Sequence, residues 1–428
     1  MAACDKQDAG EQPVKTLVEA ICHKYIDDME VEVDVHVFVP KRGPAKISES
    51  GDLILPRNLH LTDCDVGLAG DCDELSRMCQ GVCELDLMQN KITQWTEVFK
   101  VIKEIPNLTF LNLTSNPLSF CEELVDPDLV FPGVKQLVLN HTHIDWGSLV
   151  HILQVFPGLT ELHLSLNDYT VLINIPDDFS YPSLHKLHFN GNNVTDWSQI
   201  KQLGHTFTQL KNLVLTTCEL TSLGDKEEIA AAFPHLCVLN INKTCISKWE
   251  EIDKLRLFPA LTDVRVVGIP LFEGIPDKKR RQLMIARTPN VVYLNGSIVP
   301  AQEREDAERA FVRHYMDGDN KPTRYDELEA RYGKLDALVN IDMKPPSSCK
   351  VTVILDDRQE EMDVCVNQTV KQFKKFLTNF VGQPPAKWVL FYHETELNFG
   401  PRRMVYPNRK LYAYNVSDGD EFIIMMKS

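Results

Sequence analysis

The chain has 428 residues, 43% of them hydrophobic, which is enough for roughly two or three domains with buried cores. Its formal net charge of −16 at pH 7 argues against a nucleic-acid partner, because contacts with phosphate need a basic surface. No segment approaches the roughly 18 apolar residues of a membrane helix, and the N-terminus lacks a signal-peptide pattern, so we expect an intracellular protein with no membrane partner.

Residues 1–50 are polar and mixed in character, and we interpret them as an N-terminal cap on the domain that follows. Within them, Val31, Val33, Val35 and Val37 alternate with polar residues, as in a strand with one buried face. We expect this strand to cover the first repeat of that domain.

A short leucine phrase recurs through residues 51–298 at intervals of 25 or 26 residues. The first apolar position of each copy is Leu59, Leu85, Leu111, Leu137, Leu162, Leu187, Leu213, Leu239 and Val264. This period is typical of leucine-rich repeats, in which every repeat contributes one strand and one return segment. The sequence therefore predicts a solenoid of about nine repeats, with strands on its concave side and helices on its convex side.

Each phrase predicts a buried pair and a hydrogen-bonding position. Leucines two apart lie on one side of a strand, so Leu85 and Leu87 are predicted to be buried while Asp86 faces outward. The asparagine that follows can bond the backbone of adjacent turns, which an apolar side chain cannot do. This position holds Asn90, Asn116, Asn167 and Asn192, and in two later repeats Cys218 and Thr244.

Tryptophans occur in every second repeat, so a unit of about 51 residues overlies the shorter one. They are Trp95, Trp146, Trp197 and Trp249. We interpret the longer unit as a tandem duplication, and each Trp as part of the core beneath a convex helix rather than of a binding stripe. The predicted helix N-caps are the polar residues Thr93, Asp145, Thr195 and Ser247.

Residues 299–348 are predicted to be a closing cap followed by a linker. The segment Glu303–Phe311 is heavily charged and has apolar side chains on one side only, as expected for a helix at the open end of a solenoid. A further helical stretch is predicted over Arg324–Leu338. Two prolines and two serines in Lys344–Ser348 are typical of a linker.

The hydrophobic pattern changes in residues 349–428. Strands are predicted at Lys350–Leu355, Met362–Val366, Val389–Tyr392 and Phe422–Met426, with a helix over Thr369–Leu377 that is capped by Thr369. This order resembles the ubiquitin β-grasp fold. The expected fold class is therefore α/β, a leucine-rich repeat solenoid (horseshoe) with a C-terminal ubiquitin-like β-grasp domain of α+β type. The chain lacks a terminal Gly-Gly pair, so we expect that domain to be a fixed interaction module.

The sequence contains no nucleophile elbow, phosphate loop or His-Glu-x-x-His motif, and we predict a protein that is not an enzyme and has no cofactor. Cysteines cluster at Cys64, Cys72, Cys79 and Cys83, without a neighbouring histidine that would complete a zinc pattern. Cys79 and Cys83 are predicted to share a helix face. We expect buried thiols here and no metal.

Several phrases resemble the tubulin-folding cofactor E family from about residue 50 to the end. They are Leu294-Asn295-Gly296-Ser297, Glu303–Arg309, Tyr332–Leu335 and Phe399–Pro401. The CAP-Gly domain of cofactor E proper, with its Gly-Lys-Asn-Asp-Gly loop, has no counterpart in this sequence. The resemblance implies a non-enzymatic protein of the cytoplasm and cytoskeleton that binds tubulin, through its α subunit, and promotes dissociation and turnover of the heterodimer.

Three surfaces are candidates for partner binding. The strand face, expected to be concave, presents Asp86, Asn112, Asn140, His163, His188, Asn190, Asn240 and Arg265. The basic patch is Lys278, Lys279, Arg280 and Arg281, which could equally be an ordinary solvated helix face. The apolar patch of the β-grasp domain is Phe391, Ile423 and Met425, exposed by strand parity while Leu390, Phe422, Ile424 and Met426 are buried.

A second hypothesis is a ubiquitin-system adaptor. In that case the apolar patch would reach the proteasome or another ubiquitin receptor, and the repeats would carry a protein cargo. The two hypotheses are compatible if the cargo is tubulin.

Overall fold

The computed structural model describes residues 14–25, 46–47, 53–120, 129–172, 179–336, 347–395 and 400–427. The chain divides into two compact units, Met1–Asp336 and Ala337–Ser428. The first unit is the leucine-rich repeat solenoid, and the second has the ubiquitin-like β-grasp fold.

One short strand per repeat builds the sheet of the solenoid. The strands are β4 (Asn58–His60), β6 (Glu84–Asp86), β7 (Phe110–Asn112), β8 (Gln136–Val138), β9 (Glu161–His163), β10 (Lys186–His188), β11 (Asn212–Val214), β12 (Val238–Asn240), β13 (Asp263–Arg265) and β14 (Tyr293–Leu294). They run parallel and in register, so that Leu187 lies opposite Leu162 on one side and Leu213 on the other. Strand β14 extends the sheet beyond the nine predicted repeats, and β15 (Ser297–Ile298) pairs with it antiparallel.

The buried pair and the asparagine of each phrase have the predicted roles. Leu85 and Leu87 are no more than 1% exposed. Asn90 accepts hydrogen bonds from the backbone N–H groups of Cys64 and Val66, both at 3.0 Å, and donates to the carbonyl of Leu61 at 2.7 Å. The same ladder continues at Asn116, Asn167 and Asn192. It lets backbone polar groups be buried between turns without losing their hydrogen bonds.

The return segments of alternate repeats carry helices that begin at the tryptophans. The solenoid helices are α2 (Cys72–Met78), α3 (Trp95–Lys103), α4 (Trp146–Val155), α5 (Trp197–Thr206), α6 (Lys226–Ala232), α7 (Trp249–Asp253) and α8 (Asp277–Arg287), with 3₁₀ turns at Lys254–Leu257 and Pro270–Phe272. Trp95, Trp146 and Trp197 are at most 5% exposed, which confirms their place in the core.

Three of the four predicted N-caps are wrong. Asp145 caps α4 and accepts a hydrogen bond from the backbone N–H of Ser148 at 2.9 Å, as predicted. In the other three helices, the N-cap is the residue directly before the Trp, one position after the predicted residue. The N-caps are therefore Gln94, Asp196 and Lys248, and not Thr93, Thr195 and Ser247.

Aromatic side chains repeat with the double period and connect every second repeat. Each of three tryptophans lies against the phenylalanine 61 residues further along the chain. The pairs are Trp95–Phe156, Trp146–Phe207 and Trp197–Phe258, with ring centroids 6.5, 6.3 and 6.2 Å apart. Side-chain packing in the core of the solenoid therefore repeats with the 51-residue unit and not with the single repeat.

The N-terminal end of the solenoid is closed by a helix that the sequence did not suggest. Helix α1 (Leu17–Tyr25) buries Leu17 and Ile21 in the solenoid core, and β1 (Lys15–Thr16) pairs with β5 (Val66–Leu68). A small antiparallel pair is formed by β2 (Lys46–Ile47) and β3 (Leu53–Ile54). The strand predicted over residues 31–37 lies outside the described residues.

Helices α9 (Ala301–Tyr315) and α10 (Thr323–Tyr332) follow the last strands, close to the predicted cap helices. Two charged side chains are buried among them. Glu308, 1% exposed, accepts hydrogen bonds from Arg324 at 3.0 Å and from the Tyr332 hydroxyl at 2.6 Å. Arg287 donates two hydrogen bonds to Asp253 and lies 4.7 Å from the Trp249 ring.

The second unit is a five-stranded sheet with the strand order β17-β16-β20-β18-β19. Its elements are β16 (Ser348–Leu355), β17 (Arg358–Cys365), α11 (Val370–Phe376), α12 (Thr378–Val381), β18 (Trp388–His393), β19 (Arg402–Arg403) and β20 (Glu421–Met426), with 3₁₀ turns at Pro385–Lys387 and Leu411–Tyr414. The parallel central pair β16–β20 places Phe422 beside Val353 in a core separate from that of the solenoid. Thr369 caps α11 with a capping box to Gln372, as predicted.

Candidate partner-binding surfaces

The strand face brings together side chains from neighbouring strands, because every strand is in register with the next. Asn112 donates to Asp86 at 2.9 Å, and Asp86 also accepts from Thr62 at 3.4 Å. Arg265 is exposed and makes no side-chain bond within the described part of the chain. The face thus carries ordered polar rows and, near its C-terminal end, an available cation.

Three further asparagines of the strand face, besides Asn112, are partly engaged in the fold. The side-chain oxygens of Asn140, Asn190 and Asn240 accept hydrogen bonds from backbone N–H groups at 2.8 to 3.0 Å. Their amide N–H groups are the part that could serve a partner, and Asn190 already directs its own towards Ser165 at 3.2 Å. Substituting these residues would therefore disturb the fold as well as the surface.

At the centre of the strand face, Glu161 joins two histidines and a lysine. Its Oε1 atom lies 2.8 Å from His163 Nε2, 2.9 Å from Lys186 Nζ and 3.4 Å from His188 Nε2. The other oxygen, Oε2, accepts from Gln136 at 3.1 Å. The imidazole rings of His163 and His188 stack with centroids 4.0 Å apart. We call Glu161, His163 and His188 the Glu161 cluster.

Burial and neighbouring charge determine protonation in the Glu161 cluster. Burial opposes ionisation of Glu161, but hydrogen bonds from Lys186 and His163 outweigh it, so the pKa of this carboxyl is lowered. Burial lowers the pKa of His163 despite the carboxylate. Burial, with repulsion from His163 and Lys186, lowers the pKa of His188 to about 4. His188 is therefore neutral at physiological pH.

Sequence reasoning found His163 and His188 but missed Glu161. The prediction used only positions that follow the first leucine of each phrase. Strand parity places the preceding residue on the same face, since Glu161 and His163 flank Leu162. Including the residue before the first leucine of each repeat would have revealed the cluster.

The basic patch separates into two halves. Arg281 donates to Glu303 at 2.6 and 2.9 Å, and Arg280 is paired with Asp277 and lies 5.3 Å from the Phe272 ring. Lys278 and Lys279 are exposed instead, beside a cleft of about 350 Å³ that Phe311 and His314 also line. Only the two lysines remain available to a partner.

The apolar patch is contiguous. Phe391 lies directly opposite Ile423 in the sheet, and both are half-buried, while Met425 is 49% exposed on the same face. Leu390, Phe422 and Ile424 are buried, as predicted. The prediction for Met426 is wrong, because this residue is 45% exposed at the C-terminal end of β20.

The cysteine cluster is not arranged as predicted. Helix α2 ends at Met78, so Cys79 and Cys83 do not share a helix face. Cys79 is fully buried, and that burial raises the pKa of its thiol to about 12. It is therefore an unreactive core residue.

Comparisons with known proteins extend over nearly the whole chain. The human tubulin-specific chaperone cofactor E-like protein is 39% identical over 423 residues, which cover 97% of this chain and 98% of the relative. The chain belongs to the tubulin-specific chaperone cofactor E-like family. The Caenorhabditis elegans member of this cofactor E-like family is 28% identical over 97% of the chain and 96% of its own length.

The chain is also similar to a longer protein. Tubulin-specific chaperone E of Bos taurus is 25% identical over 88% of this chain and 77% of its own length. Among solved structures, the C-terminal ubiquitin-like domain of mouse tubulin-specific chaperone E is 14% identical over 21% of this chain and 95% of the domain, with a TM-score of 0.19. No family model matches the chain. Among the described residues, no helix is both long and apolar enough to cross a membrane.

Proposed function

We propose that this protein is a non-enzymatic tubulin-binding regulator that promotes dissociation and turnover of the tubulin heterodimer in the cytoplasm and at the cytoskeleton. The observation that carries the proposal is the 39% identity with a tubulin-specific chaperone cofactor E-like protein over 98% of that protein's length. In the proposed mechanism, the strand face binds the α subunit. Preferential binding to the dissociated subunit shifts the heterodimer equilibrium towards dissociation.

Charge reversal on the strand face tests the binding surface. Purified tubulin is mixed with the chain, and subunit exchange and complex formation are followed by native gel and size-exclusion chromatography. We expect Arg265→Glu to weaken binding, because Arg265 is exposed and makes no bond that the fold requires. Lys103→Glu is the matched control, since Lys103 is an exposed cation at the end of helix α3.

The outcomes of this experiment are distinct. Weaker binding in Arg265→Glu alone supports the strand face. Equal weakening in both variants would indicate only a general effect of charge. A wild-type chain that neither binds tubulin nor increases subunit exchange would disprove the proposed function.

The basic patch is proposed as an auxiliary contact through its two exposed lysines. Tubulin and this chain would both be acidic, so local cations would reduce their repulsion. We expect Lys278→Glu with Lys279→Glu to lower tubulin affinity and to flatten its salt dependence. Arg280 and Arg281 are left unchanged in this variant, because substituting Arg281 would break its pair with Glu303. Unchanged affinity at low salt would remove the lysines from the interface.

The exposed apolar patch favours a second candidate function, a ubiquitin-system adaptor that brings a bound cargo to the proteasome or another ubiquitin receptor. Phe391, Ile423 and Met425 lie on one face of the β-grasp sheet, where Met425 is exposed and the other two are half-buried. Contiguous exposed apolar surfaces commonly mark protein contacts. In cells, Phe391→Ala with Met425→Ala should abolish any fall in tubulin level while tubulin binding by the purified protein persists. A fall that is unaffected by the double variant would exclude this role.

A further inference from the structure

The donor atoms of the Glu161 cluster have the spacing of a metal site. Glu161 Oε1 is 2.8 Å from His163 Nε2 and 3.4 Å from His188 Nε2, and one donor atom of each residue lies within 4.8 Å of the others. Ligands bound tetrahedrally to zinc at about 2.0–2.2 Å are roughly 3.3 Å apart. The spacing is therefore close to that of a zinc site, and coordination requires the two stacked imidazole rings, whose planes differ by 11°, to rotate until both Nε2 lone pairs point at one ion.

One donor atom in the cluster lacks a satisfactory partner. His188 Nε2 is buried and, within the described residues, has no hydrogen bond, although Glu161 Oε1 lies 3.4 Å away. Buried polar atoms are nearly always satisfied by protein, water or an ion.

The cluster is also held in place by its surroundings. Strands β9 and β10 pair in register, with His163 opposite His188, so the two side chains project from adjacent positions on one face of the sheet. Gln136 bonds the second oxygen of Glu161 at 3.1 Å and thereby orients the carboxylate. Outer hydrogen bonds of this kind commonly orient metal ligands.

We propose that Glu161, His163 and His188 bind a divalent transition metal of the zinc class on the strand face. Two imidazoles and one carboxylate favour such an ion over calcium or magnesium, which prefer oxygen ligands. Three protein ligands leave a fourth coordination position for water or for a side chain of a bound protein.

Lys186 competes with the metal for Glu161. Its ammonium nitrogen lies 2.9 Å from Oε1 of the carboxylate, and its side chain is 38% exposed, so it can move into solvent when the ion binds. Removing this charge should favour the metal. If the cluster were only an ion-pair network, loss of Lys186 would change stability but create no affinity for an ion.

The test is titration of the purified, reduced full-length chain with Co²⁺, followed by displacement with Zn²⁺. Visible absorption reports the cobalt site, and thiolate charge-transfer bands identify any binding to the cysteines. We expect binding without such bands, and we expect Lys186→Gln to strengthen it. His188→Asn should weaken it by more than the roughly 10–100-fold cost of losing an outer-shell partner. His143→Asn, which removes an exposed histidine 3.0 Å from Asp168, should leave it unchanged.

Thermal unfolding separates metal binding from folding. Zn²⁺ should raise the melting temperature of the wild-type chain and of His143→Asn, but not that of a folded His188→Asn or His163→Asn variant. The proposal is overturned if cobalt gives only thiolate bands. It is also overturned if affinity is the same in wild type and both cluster variants. Since tubulin takes no part, these results are independent of the proposed function.

Discussion

At the scale of single residues, the asparagine ladder is the clearest link between sequence and stability. Asn192 is fully buried and accepts from the backbone N–H of Asn167 at 3.0 Å, while it donates to the carbonyls of Leu164 and Phe189, both at 3.0 Å. Cys218 and Thr244, at equivalent positions, bond one carbonyl each. An amide therefore satisfies more backbone groups than either replacement.

We predict that Asn192→Ala lowers the free energy of unfolding by about 1–3 kcal/mol, because buried backbone groups lose their partner. The neighbouring Asn193 is exposed and provides a matched control. Asn193→Ala should change the free energy of unfolding by less than about 0.5 kcal/mol. Denaturant unfolding measures both. Equal effects of the two substitutions would contradict the role assigned to the ladder.

Local sequence predicted the ladder but not the helix caps, and the reason is physical. The Asn position is fixed by its spacing from the two apolar strand residues that precede it, whereas Thr195 and Asp196 both precede Trp197 and both can cap. Backbone geometry selects Asp196, which accepts from the N–H of Ser198 at 2.9 Å. That geometry depends on packing of the Trp and cannot be derived from propensity alone.

At the scale of elements, each strand is stabilised by leucines that neighbouring repeats bury. Leu187 is fully buried at the centre of the sheet, where β10 lies between β9 and β11. Leu166, in the turn that follows strand β9 of the preceding repeat, is 54% exposed. The two leucines thus differ in burial although both belong to central repeats of the solenoid.

Leu187→Ala is expected to lower the free energy of unfolding by about 2–5 kcal/mol, because less apolar surface is buried and a cavity is left. Leu166→Ala should cost less than about 0.5 kcal/mol. Chemical denaturation of both variants provides the comparison. A cost below about 0.5 kcal/mol for Leu187→Ala would mean that strand β10 is misassigned.

The cap helices contain a different kind of stabilisation, in which the buried carboxylate of Glu308 is bound by Arg324, Arg331 and Tyr332. Removing one member of a buried charge network leaves the others uncompensated. We predict that Glu308→Gln destabilises the solenoid unit by about 3–5 kcal/mol. Glu305→Gln, at a partly exposed carboxylate paired with Arg309, should change stability by about 0–1 kcal/mol.

Elements with a strict period were predictable, and those without one were not. Leucine spacing identifies strand β4 and the strands from β6 to β13, and alternation identifies β16 and β20. Helix α1 was missed because nine residues with no repeat context give a weak helical pattern. The partners of Glu308 were missed since they lie 16 to 24 residues away and meet only through packing of α9 against α10.

At the scale of the whole molecule, the two units have separate hydrophobic cores. We predict that residues 1–346 fold without the β-grasp domain and bind tubulin at least about tenfold more weakly than the full chain, because a tethered second contact is lost. Circular dichroism and affinity measurements check the two parts of this prediction. Full heterodimer-dissociating activity in residues 1–346 would show that the solenoid acts alone.

The pairing of each tryptophan with a phenylalanine two repeats away restricts how this molecule can change in length. Loss of one repeat would bring two Trp-bearing repeats together, or two that lack Trp, and the rings would no longer meet. Loss or gain of two adjacent repeats would keep the alternation, so every remaining Trp would still meet a Phe two repeats away, as in the pairs Trp95–Phe156, Trp146–Phe207 and Trp197–Phe258. Such a solenoid can therefore lengthen or shorten its strand face only in steps of two strands, so shorter and longer versions should differ by about 51 residues.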